Sequence, residues 1–88
     1  MGLFNKNTDV HHVTVAGVNP HDVASEMKKE DSPFYDPVSG ASVYQHIVVD
    51  DKLVGGIVDV WTPEHMTAEQ EKYLKEHPNV IDVRHVYP

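Results

Sequence analysis

The chain of 88 residues carries 14 acidic against 7 basic residues, a net charge of −7 with its 7 histidines neutral. That length admits one domain, and the acidic balance, with Lys6, Lys28, Lys29, Lys52, Lys72, Lys75 and Arg84 forming no long run, argues against nucleic acid as a partner. Cys is absent, which removes thiol catalysis and thiolate metal sites, and with no apolar run long enough for a membrane span or a signal peptide the default location is cytoplasmic.

Residues 1–9 are polar apart from Leu3 and Phe4 and are expected as a flexible leader, with 10–88 as one domain. Asp9 to Val18, rich in β-branched residues and closing at Gly17, predicts a strand. Asn19 can cap a helix that Pro20 opens and Asp22 favours; its thin apolar stripe is Val23, Ala24 and Met27. Asp31 to Ala41 holds Ser32-Pro33, Asp36-Pro37 and Ser39-Gly40 and reads as a loop whose aromatics, Phe34 and Tyr35, are expected to cover the core. Ser42 to Val49 and Leu53 to Trp61 predict two strands of a hairpin through Asp50-Asp51-Lys52, and Gly55-Gly56 suggests a bulge or a close approach by a helix. Thr67 and Gln70 have the spacing of a capping box, Pro78 stops the helix they begin, and Asn79 to Tyr87 alternates as a last strand.

The order β-α-β-β-α-β is that of an α+β ferredoxin-like sandwich: a four-stranded antiparallel sheet with the first and third strands central and both helices on one face. Alternation assigns Val13, Val15, Val54, Gly56, Val58, Val60, Ile81 and Val83 to the helix side. The open face is then expected to carry His12, Thr14, Ile57, Asp59, Trp61, Asp82 and Arg84, a mixed aromatic, apolar and charged surface suited to a protein partner. Trp61 and Tyr44 are the candidate anchors.

The C-terminal third resembles the protease-inhibitor domains related to subtilisin propeptides. The stretches that carry the likeness are Gly56-Ile57-Val58-Asp59-Val60, Met66-Thr67-Ala68-Glu69-Gln70, and Leu74 through Pro78 to Val83. The resemblance implies the same fold, a non-catalytic role as inhibitor or chaperone of a subtilisin-type protease, and a C-terminal tail that enters the substrate cleft. On this chain the tail falls on His85, Val86, Tyr87 and Pro88.

No nucleophile, or acid and base gathered in a pocket, is marked, so no enzyme activity and no cofactor are expected. His11 and His12 are adjacent and point to opposite sheet faces, so they do not ligate one ion from a regular strand; His12 with Asp59 or a distant histidine is the metal alternative, against solvated histidines. The rival functions are a homo-oligomeric accessory or regulatory domain that pairs edge strands or open sheet faces, an acidic inhibitor of a nucleic-acid-binding enzyme, and a metal-dependent or acid–base enzyme.

Overall fold

Six elements follow in the expected order: β1 (Asp9–Ala16), α1 (Pro20–Met27), β2 (Gly40–Val49), β3 (Lys52–Thr62), α2 (Ala68–Glu76) and β4 (Val80–Tyr87). The computed structural model describes residues 8–35 and 39–87. Residues 1–7, 36–38 and Pro88 lie outside the described residues, and with them the expected leader up to Asn7, the middle of the expected loop and the end of the expected tail. The strands form one antiparallel sheet in the order β2-β3-β1-β4. Val13, Val15, Val58 and Val60 from the central strands share one core with Val23, Ala24 and Met27 of α1 and Leu74 of α2, so both helices cover the same face. This is the ferredoxin-like α+β arrangement, and no helix among the described residues is long and apolar enough to cross a membrane.

Local chemistry accounts for the helix ends. The Asn19 side chain accepts from the His21 N–H at 2.9 Å, and Pro20 sits at the first position, where its missing donor costs nothing. At α2 the Thr67 hydroxyl accepts from the Gln70 N–H at 3.1 Å while the Gln70 side chain accepts from the Thr67 N–H at 2.9 Å, completing the capping box. Lys28 caps the end of α1 and its ammonium donates to the Ser39 carbonyl at 2.9 Å, tying the helix to the start of β2. A side chain on Gly56 would strike Pro20 of α1 and the Gln45 carbonyl, and one on Gly55 the Val15 carbonyl of β1, so the helix approach falls on Gly56 and Gly55 gives way to the neighbouring strand.

Several expectations need correction. Asp9, expected as the end of the leader as well as the start of the strand, is the first residue of β1, pairs with Thr62 and is 4% exposed. Phe34 is fully buried, but Tyr35 is 57% exposed; the Ser32 hydroxyl and carbonyl accept from the Phe34 and Tyr35 N–H groups, and the tight turn sends the two rings different ways. Val54 is 40% exposed because β1 ends at Ala16, opposite Gly55, and the β2–β3 hairpin continues past it without cover. Ile81 is 66% exposed rather than in the core. Val80 faces Val15 and Asp82 faces Thr14, so Ile81 is the extra residue of a bulge, and Val80 takes its place beside Val83 against the core. The expected tail is strand: His85 lies opposite His11 and Tyr87 opposite Val10, with Val86 the inserted residue between them.

Candidate functional site

The open face is assembled by register. His12 stands opposite Asp59 on one side and Arg84 on the other, Thr14 opposite Ile57 and Asp82, and Val10 opposite Trp61. All seven residues expected there therefore share one side of the sheet, as cross-strand partners do. At its centre His12 Nε2 is 2.9 Å from Asp59 Oδ1, with about a quarter of each side chain exposed. The contact is close but off the hydrogen-bonding direction, and Asp59 Oδ1 keeps an unfilled acceptor position. The Tyr44 ring packs against His12 with centroids 4.5 Å apart, tilted by 30°, and is 58% exposed. The expected anchor Tyr44 thus lies on this face, one step in alternation from Val43, which stands opposite Val58 of the core. Trp61 fills the space beside Gly40 across the β2–β3 pair.

A second cluster, which the sequence reading missed, lies on the helix side at the end where β1 begins. The Asp9 carboxylate is buried; its Oδ2 accepts from His65 Nδ1 at 3.0 Å and its Oδ1 is 3.5 Å from His85 Nε2. His85 donates through Nε2 to the Tyr87 carbonyl at 2.9 Å, and its ring stacks on His11 with centroids 4.7 Å apart. Burial by itself pushes the Asp9 carboxyl up, but the bond from His65, the charges of His65 and His85 and the Met66 N–H outweigh it, and the carboxyl sits below its ordinary value. His11 is pushed down, first by burial and then by His85, against the pull of Asp9 and Glu71. Its Nδ1 is buried without a hydrogen-bond partner, which the neutral ring tolerates better than the charged one.

The cleft beside this cluster holds about 200 Å³, between His11 and His85 on one side and Glu71, Leu74 and Lys75 on the other. That is small against the few hundred Å³ usual for a ligand site. The Asp9–His65 contact orients an imidazole whose side chain is 93% exposed, at a cleft it shares with Ser39, Thr62 and Thr67. Among the described residues, no group of three or more His, Asp or Glu is arranged to hold a metal ion. One signal for this cluster was present in the sequence: Asp9 and His11 alternate in phase with Val13 and Val15. His85 joins them only through the Val86 bulge, and His65 arrives from the connection to α2.

Comparison of the chain with protein-family models, with curated proteins and with solved structures gives no match.

Proposed function

We propose that this is a non-catalytic protein-binding domain whose contact surface is the uncovered side of the sheet. The observation that carries the reading is the segregation of both helices to one face, which leaves Tyr44, His12, Ile57 and Trp61 with Asp59, Asp82 and Arg84 as one continuous surface. Aromatic and aliphatic side chains held on a rigid sheet lose little torsional freedom on docking, and the flanking charges orient the partner. The particular form favoured is propeptide-like inhibition of a subtilisin-type protease, supported by the fold and by the Gly56–Val60 and Met66–Val83 resemblance. With His85 to Tyr87 paired to β1, recognition in this form runs through the sheet face, and the C-terminal strand has to peel from Val10 and His11 for any residue there to reach a cleft.

The test is inhibition of a subtilisin-type protease by the intact chain, beside Ile57→Lys and Arg84→Glu variants checked for folding by circular dichroism. Inhibition weakened about tenfold or more by either substitution supports the reading, as charge placed against a complementary surface costs at least that much. A folded, uncleaved chain that leaves the protease fully active rejects the protease form.

A further inference from the structure

The edge of the sheet at β2 has properties that the open face does not explain. β2 is ten residues long and, among the described residues, pairs only with β3, so that its outer side presents a row of backbone donors and acceptors that no described strand takes up. Edge strands are ordinarily protected by charges, and the opposite edge, β4, carries Asp82 and Arg84. Gly40 to Val49 contains no Asp, Glu, Lys or Arg, with His46 its one histidine, in a chain whose net charge is −7 with histidines neutral. The strand instead exposes Tyr44, Val48 and Val49 by more than half, and the apolar strip continues across the hairpin onto Leu53 and Val54. Its remaining protection is the pair of register shifts against β3.

Charge marks the two ends of this edge oppositely. At the start of β2 the Lys28 ammonium rests on the Ser39 carbonyl, beside a groove lined by Ala24, Ser25, Ala41, Ser42 and Val43. At the far end the hairpin turns through Asp50 and Asp51. An edge with no Asp, Glu, Lys or Arg in its middle, Lys28 at one end and, at the other, two carboxylates against the single ammonium of Lys52 is complementary to itself when reversed. We infer that β2 is a self-pairing edge: two copies align their β2 strands antiparallel about a two-fold axis, with the Asp50–Asp51 turn of each against Lys28 of the other. Two acidic chains repel over most of their surfaces, and this edge is where backbone pairing, apolar cover and opposite charge coincide. The inference is independent of the open-face reading, since the sheet face stays free on both copies.

Sedimentation of the full chain over a range of concentrations tests it. The expected result is a reversible dimer whose dissociation constant rises about tenfold or more with Val48→Lys, a side chain exposed enough for folding to survive the change. The second arm is a double-mutant cycle between Lys28→Glu and the pair Asp50→Asn with Asp51→Asn, Asn being a residue that still accepts a positive φ. Within one chain the two ends of β2 are about 30 Å apart at about 3.3 Å per residue, far beyond the screening length of about 8 Å. Non-additive effects of these substitutions on dimerisation therefore report contact between copies. A chain that stays monomeric at all concentrations overturns the inference. So does a dimer unaffected by Val48→Lys, and one abolished by Ile57→Lys in its place assigns association to the open face.

Discussion

The indole of Trp61 occupies the space that a side chain on Gly40 would need, so the two residues are matched across the β2–β3 pair. A Cβ at position 40 would overlap the ring atoms Cζ2, Cε2 and Nε1, and the ring has to move. Gly40→Ala is therefore expected to destabilise the fold by about 1–3 kcal/mol, the usual cost of overpacking. Because Trp61 is the chain's single Trp, its fluorescence reports the displacement directly. An unchanged emission spectrum together with unchanged stability contradicts the matched packing.

The architecture was legible because several local signals agree. Val13 and Val15 alternate, Asn19-Pro20 and Thr67 with Gln70 mark helix starts, and Pro78 marks a stop; each involves near neighbours in sequence and survives into the structure. The open face was legible for the same reason, since the phase of His12 and Thr14 follows from that of Val13 and Val15. What escaped depends on insertions into the pleat. Ile81 and Val86 are each one residue too many opposite β1, and nothing in Val80 to Tyr87 taken alone says which residue the ladder leaves out. The Asp9–His65–His85 cluster escaped because its members come from three separated segments and meet only through one such bulge.

The bulge at Ile81 separates two valines from an isoleucine that looks equally apolar. Ile81→Ser is expected to change stability by less than about 0.5 kcal/mol, as for an exposed position without partners. Val83→Ala, at a half-buried site packed on the core, is expected to cost about 1 kcal/mol. Urea denaturation of the two variants checks the order; equal losses would return Ile81 to the core.

The hairpin turn places two non-glycine residues at positive φ, Asp50 at 52° and Asp51 at 63°. Both values belong to the two-residue turn whose twist suits a hairpin and which favours Asn-Gly. Asp50→Asn with Asp51→Gly relieves the left-handed backbone and the adjacent like charges, with an expected gain of about 1 kcal/mol. Thermal unfolding at a concentration where the chain is monomeric measures it, and a loss of stability contradicts the turn geometry.

The pH dependence follows from two groups that both titrate below their ordinary values. His11 is held below 6.5, so as pH falls through 6.5 the unfolded chain takes up the proton first and stability declines until the folded value is passed. Asp9 is held below 3.8, so its contribution is complete above 3.8 and is lost as pH falls through its lower folded value. The two slopes have the same sign and occupy successive windows. His11→Phe keeps a ring stacked on His85 while removing the titrating group and the partnerless Nδ1, so it is expected to preserve stability near neutrality and to flatten the decline that begins below about pH 6.5. Asp9→Asn is expected to weaken the fold at neutral pH, since it replaces the charged acceptor of His65, and to flatten the acid limb instead. Urea midpoints of the three proteins across both windows make the comparison. If His11→Phe follows the parent chain below pH 6.5, burial at position 11 is not the source of the first decline.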